Sequence, residues 1–401
     1  MNGKQDNGNN VRDPSAYIRF ADRLEHFTWA NFTITMSTGG MALLLGSQPH
    51  TFRGLFTIGK VVYVADIVLF ILVCSAITYR FIKFPGTFKP SFVHPTEALF
   101  IPTSLLSLAT MISAMGIYGI PAAGHWLVEA YLVLFWCYFA LTFVTAVAQY
   151  HYLFSRPQFT IQGMVPSWIL PIFPFMLCGT ISSSGAGHMS PHQAIPVIVG
   201  GLTAQGTGML VAFLMYAQYL RRLLQFGLPS PNMRPGMFIS VGPPAFTSLA
   251  LIGLANDFPA GETYFGDPAI TQQVVKIMAT FTAVFVWCLA FWFFAISVVA
   301  CLGASRSMSF HLSWWAFVFP NVGFTIAVIK IGQLLQSEGI LWVGTAMTIL
   351  LVMAYVFVLV CQVRAILRRL IWFPGMDEDG QHSDPGMFKG INEEARMHKH
   401  E

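Results

Sequence analysis

The stretch Trp314–Lys330, WWAFVFPNVGFTIAVIK, decides how this chain is read. It is long and apolar enough to cross a bilayer. Yet it holds Pro320, which has no backbone N–H to donate, beside Asn321, and it ends on Lys330. In hydrocarbon, a freed carbonyl or a buried polar side chain is costly unless protein or water satisfies it. The segment therefore should not face lipid all round. The economical reading is a broken helix beside a wet path, with Phe319 at the break.

Composition sets the class around this stretch. Of 401 residues, 55% are hydrophobic and only 10% are charged. A soluble domain carries about 25% charged residues, so an all-α integral membrane protein is expected. Residues 1–26 are polar, and the apolar run from Phe27 is too long for a signal peptide. All six cysteines fall inside apolar runs, which argues against an extracellular disulfide framework. The sequence contains no nucleophile elbow, P-loop or Gly-rich dinucleotide motif. No catalytic residue, cofactor or nucleic-acid partner is expected.

A span needs about 20 apolar residues. Ten such runs are read, at 27–46, 58–79, 97–117, 126–149, 164–184, 192–217, 237–255, 271–302, 311–335 and 340–363. They make 27–372 one transport domain between a cytoplasmic tail, 1–26, and a disordered cytoplasmic tail, 373–401. Lys and Arg placement supports the count. With the N-terminus inside, all of the 22 Lys and Arg except Arg53, Lys60, Lys276 and Lys330 fall on the cytoplasmic side. That is a positive-inside pattern, and an odd number of spans would spoil it.

Proline marks alternate spans: Pro102 in the third, Pro166, Pro171 and Pro174 in the fifth, Pro243 and Pro244 in the seventh, Pro320 in the ninth. The first has Gly39-Gly40 instead. Discontinuous helices whose freed carbonyls meet a cavity mark transport paths. The alternation suggests five helical-hairpin repeats around a central pore, with odd helices inside. Proline is also commoner in membrane helices at large, but that does not explain a bias toward alternate spans. The odd spans carry polar stripes at helical spacing: Asn31, Thr35 and Thr38; Thr103, Ser107 and Thr110; Ser240, Pro244 and Thr247; Asn321 and Thr325. Such hydroxyls either bond back to their own helix and glue helices together or line a pore.

Charge within the spans is sparse. Asp66 and Glu129 lie in smooth spans, and interhelical pairing is the alternative to a functional role. A path rich in donors and poor in carboxylates favours an anion. Arg80 is either an interface anchor or a contact for a carboxylate. Lys276 and Lys330 are candidate outer cationic contacts. Phe319 is a candidate gate, since an aromatic ring can occlude and dewet a narrow pore. His188 and His192 have i, i+4 spacing, but Pro191 breaks the helix that a metal pair needs, so no metal site is expected. A membrane metalloenzyme using His94, His188 and His192 is the competing reading from another class.

Several runs resemble the fungal malate, or C4-dicarboxylate, permeases of the tellurite-resistance/dicarboxylate transporter family. They are FTWANFTITMSTGG (27–40), His94-Pro95, PSWILPIFPFMLCGTI (166–181), RPGMFISVGPPAF (234–246) and WWAFVFP (314–320). The family includes bacterial tellurite-resistance proteins and plant guard-cell slow anion channels. The resemblance implies ten helices in five hairpins, a pore occluded by Phe319, and a homo-oligomer, with a trimer or else a dimer as the form. The expected substrate is malate or a related C4-dicarboxylate, moved across the plasma membrane. It is placed among Ser37, Thr38, Arg80, Thr103, Thr180, Pro243, Thr247, Asn321 and Thr325. An anion channel for chloride or nitrate, or a sulfite exporter of the same fold, is the alternative.

Overall fold

The computed structural model describes residues 19–94, 96–155, 161–261 and 266–372. Pro95, Arg156, the tail 373–401 and most of the N-terminal tail lie outside them. No β-strand occurs among the described residues. The α-helices of eight residues or more are Phe32–Gly46 (α1), Leu55–Lys83 (α2), Pro102–Ala114 (α3), His125–Phe154 (α4) and Cys178–Gly185 (α5). They continue with Pro191–Phe226 (α6), Gly242–Asn256 (α7), Pro268–Leu302 (α8), Phe319–Leu334 (α9) and Glu338–Leu367 (α10).

Eight helical stretches among the described residues are long and apolar enough to cross a membrane. They contain every labelled helix except α1 and α5. α1 has 15 residues, preceded by a 3-10 turn at Trp29–Asn31. The expected fifth span is in pieces. A 3-10 turn, Pro166–Ile169, is followed by a four-residue helix, Phe173–Met176, and then by α5. Its prolines deny N–H donors to a continuous ladder.

The breaks at the other prolines share one form. Each is a 3-10 segment leading into an α-helix whose first turn holds the proline. Leu312–Phe317 precedes α9, Pro231–Val241 precedes α7, and Glu97–Phe100 precedes α3. At the first two positions of a helix the missing N–H has no intrahelical partner to lose, so Pro320 and Pro243 start helices cheaply. By contrast α6 runs unbroken through Pro196. One irregularity carries no proline: α3 runs into a π-helical turn, Met115–Gly119.

Burial divides the helices. In the stretch ending in α7, 94% of the apolar window is buried, and in that ending in α9, 83%, against 17% for α2 and 22% for α10. α1 is buried from Thr35 through Leu44. The buried helices form a closed ring: α1 packs on α3, α3 on α5, α5 on α7, α7 on α9, and α9 returns to α1. The longer helices pack outside it, α2 on α1, α4 and α6 on α5, α8 on α7 and α10 on α9. Their outward faces carry large apolar side chains such as Ile71, Val144, Phe285 and Val360, the surface a bilayer covers.

The ends of the described chain meet. Arg23 Nη2 donates to the carbonyl of Ile366 at 2.9 Å, and Trp372 Nε1 donates to Asn31 Oδ1 at 3.1 Å. The rings of Phe27 and Trp372 lie 5.1 Å apart. Both ends therefore sit on one face of the bundle.

Candidate functional site

At the centre of the ring three aromatic side chains pack together. Phe319, at the first position of α9, has its ring 5.1 Å from Phe246 of α7, near parallel at 28°, and 6.1 Å from Phe173. Phe319 is 1% exposed. The cluster rests on glycines because nothing larger fits. A Cβ on Gly323 would strike the Phe246 ring, and one on Gly242 would strike Phe173. One on Gly40 would lie 3.3 Å from Phe319 Cδ2. The break that puts Phe319 here is that of Val318 and Pro320, and it brings the N-termini of α7 and α9 together at Gly242 and Pro320. A helix N-terminus carries partial positive charge, which suits an anion.

A cavity of about 480 Å3 lies against Phe246, at the C-terminal ends of α1, α5, α7 and α9. Thr180, Ser183 and Ser184 of α5 line one wall, and Gln48, Gln333 and Lys330 line another. His188 and Asp257 border it too. Lys330 supplies the ammonium group that a carboxylate needs, and the hydroxyls and amides supply neutral donors. Asp257 Oδ2 accepts from the Gly187 N–H at 3.2 Å. Burial raises the Asp257 carboxyl above its ordinary value, with the Gly187 N–H, Lys330 and His188 opposing.

Of the residues singled out from sequence, Thr180 and Lys330 line this cavity. Thr180 Oγ1 is buried with no hydrogen-bond partner in the protein. Ser37 Oγ and Asn321 Oδ1 are likewise buried and unpartnered, but outside the cavity lining. Lys276 is half-buried on α8 and does not line the cavity either.

The polar stripes are mostly satisfied within the protein. Thr35 and Ser107 meet hydroxyl to hydroxyl at 2.6 Å between α1 and α3. Thr103 donates to the carbonyls of Phe100 and Trp29, and Thr110 to that of Ser107. Thr38 bonds the carbonyl of Ile34 and meets the Tyr355 hydroxyl at 2.9 Å. Thr247 donates to the carbonyl of Pro243 and meets the Gln205 amide at 2.8 Å. Thr325 donates to the carbonyl of Asn321. These hydroxyls bond back to their own helix or across to a neighbour.

Arg80 is also committed elsewhere. It is 6% exposed, pairs with the Glu97 carboxylate, and donates to the carbonyl of Phe27 at 2.9 Å. A buried guanidinium with its own carboxylate is a structural clamp, not a spare cation for substrate. No cluster of His, Cys, Asp and Glu able to hold a metal occurs among the described residues. Sequence reasoning missed Phe246, Asp257, Gln48 and Gln333. Phe246 sits in the run RPGMFISVGPPAF but lacks a break of its own to draw notice. The others lie at or beyond span ends, where polarity carries no signal.

Long apolar helices around a buried ring, with a cation-bearing cavity closing on an aromatic cluster, define a multi-pass membrane transport protein. Comparison with known proteins gives the family. Residues 26–363 match the SLAC1 family, described as voltage-dependent anion channels, and the chain belongs to it. A malic acid transport protein of Schizosaccharomyces pombe is 38% identical over 385 residues, 95% of this chain and 87% of that one. A sulfite efflux pump of Trichophyton rubrum is 24% identical over 336 residues, 82% of this chain and 87% of the pump. The chain is thus a transport protein and not an enzyme.

Proposed function

We propose that this chain carries malate and related C4-dicarboxylates across the plasma membrane, along the axis of the ring α1–α3–α5–α7–α9. The observation that carries the reading is the end of the cavity: an opening lined by Lys330 and Thr180 runs onto Phe246, and Phe246 stacks on Phe319. In this reading the substrate's carboxylate meets Lys330 first and Phe319 blocks the axis beyond. The malic acid transport protein that matches nearly all of the chain supports the substrate class.

The ring closure, the paired outer helices and the meeting of both chain ends support ten crossings as five hairpins, with α1 and the broken segment of α5 completing the odd set. The placement of Lys and Arg supports cytoplasmic termini, which puts the cavity on the outer face. A trimer, with one path per subunit, is carried forward from the family resemblance. A dianion leaving down a 100 mV inside-negative potential gains about 4.6 kcal/mol. Efflux then needs no coupling, whereas uptake needs protons.

The test is labelled malate flux into proteoliposomes. Flux well above that of empty vesicles is expected, and none with or without a pH gradient ends the reading. The second reading is an anion channel or sulfite exporter, favoured by the family match and the sulfite pump. Sulfite efflux without malate flux, or unitary currents from the wild-type protein, selects it.

A further inference from the structure

Asp66 of α2 is 0% exposed, and neither carboxylate oxygen has a hydrogen-bond partner at proper geometry. Its backbone support is a contact with Gly39 of α1. The place a Gly39 Cβ would occupy is taken by Asp66 Oδ2 and Thr110 Oγ1. The Thr110 hydrogen is already given to the carbonyl of Ser107 at 2.8 Å. The titratable groups that face Asp66 are Tyr63 of its own helix and Tyr355 of α10. From α1 and α3 it meets Gly39 and Thr110, which do not titrate. Arg80, further along α2, is held by Glu97. An ionised carboxylate without cation or donor between packed helices is far costlier than the neutral acid.

The next residue of α1 faces a different neighbour. Gly40 meets Phe319 and Val322, while Gly39 meets Asp66 and Thr110. Consecutive helical residues point about 100° apart. The backbone of α1 at this glycine pair therefore touches a buried acid through one residue and the axial Phe319 through the next. Any charge-driven shift of α1 on the Asp66 side changes the seat of Phe319.

We propose that Asp66 is a proton-binding residue of the transport path. It is protonated while Phe319 rests on Gly40, and its ionisation shifts α1 and unseats the ring. In that step α1 moves off Asp66, the carboxyl O–H bond breaks, and the proton leaves to bulk solvent through water admitted by the shift. A second water and the Thr110 hydroxyl, turned away from Ser107, then donate to the carboxylate. The proposal rests on the reading of Phe319 as the closure of the axis. It gives proton coupling a residue on the protein, in addition to any proton carried on the substrate.

The test is malate exchange in proteoliposomes at equal pH on both sides, with total malate adjusted so that the monoanion concentration stays constant. The wild-type rate should climb up to about tenfold per pH unit on the acid limb, following the ionised fraction. Asp66→Asn, which mimics the neutral acid, should stay flat at the acid-limb rate. Asp66→Glu, which keeps a carboxyl, should restore the dependence with a moved midpoint. A flat wild-type profile, or Asp66→Asn with the wild-type profile, overturns the proposal. Absence of any wild-type flux instead overturns the transport reading. Infrared difference spectra between acid and base then decide Asp66 on their own. A protonated carboxyl band present in wild type and lost in the Asn variant, or in the Glu variant shifted, supports the assignment. No such band in wild type refutes it.

Discussion

Arg80 Nη1 donates both to the Glu97 carboxylate and to the Phe27 carbonyl, so one guanidinium ties α2 to the turns that open α1 and α3. Both partners are nearly inaccessible, at 7% and 6% of side-chain surface. Removing one leaves the other charged and alone. Arg80→Gln and Glu97→Gln should each cost about 3–5 kcal/mol of stability. Thermal unfolding in detergent reads this as a large drop in Tm for each variant. Protein that survives should keep its malate KM; a many-fold rise in KM at unchanged Tm returns Arg80 to the substrate.

The aromatic cluster makes a packing prediction. A methyl on Gly323 would overlap the Phe246 ring. Gly323→Ala should therefore displace Phe246 and cost about 1–3 kcal/mol, as overpacked cores do. Gly206 has open space at its Cβ position and serves as the control. Equal Tm values for the two alanine variants would mean that the ring is not held where it stands.

Lys330 and Lys276 separate the two candidate outer cations. Lys330 lines the cavity and Lys276 does not. Lys330→Gln should raise the malate KM by about tenfold, the loss of some 1.4 kcal/mol of attraction, while Lys276→Gln leaves it within twofold. Initial rates over a malate titration check this. The reverse order would move the entry site to α8.

Asp257 gives a pH dependence of known sign. Burial raises its carboxyl above the ordinary range, so the fold prefers the protonated form. Its contribution to stability is whole below the ordinary aspartate range and is lost as pH rises through the raised value. Asp257→Asn keeps a neutral acceptor for the Gly187 N–H and should remove that loss. The Tm of the wild type relative to the Asn variant should fall as pH rises through this window. A difference that stays constant with pH contradicts the assignment.

The breaks were legible because proline leaves a covalent mark. Pro320, Pro243 and Pro102 lack a donor wherever they sit, and each starts a helix here. The alternation of buried and exposed helices followed from the same residues. The meaning of the hydroxyl stripes was less legible. Periodicity places Thr35 and Ser107 on the faces of their own helices, but only the distance between helices shows that they meet each other.

Arg80 shows a related limit. Its partner Glu97 lies 17 residues away on a different segment, and sequence spacing does not reveal an interhelical pair. The cavity was hidden for a third reason. Gln48, His188 and Asp257 stand at the ends of apolar runs, where polar residues are ordinary. Asp66 was visible as an intramembrane acid, but its want of a partner is a property of packing alone.

The central claim is that the ring of buried helices encloses an anion path closed by Phe319. Malate-carried current across planar bilayers holding Phe319→Ala, set against wild type at equal protein content, tests it most directly. Replacing the ring with a methyl should raise the current by tenfold or more, a change of about 1.4 kcal/mol or greater in the barrier. Unchanged current in a variant that still folds would contradict the claim.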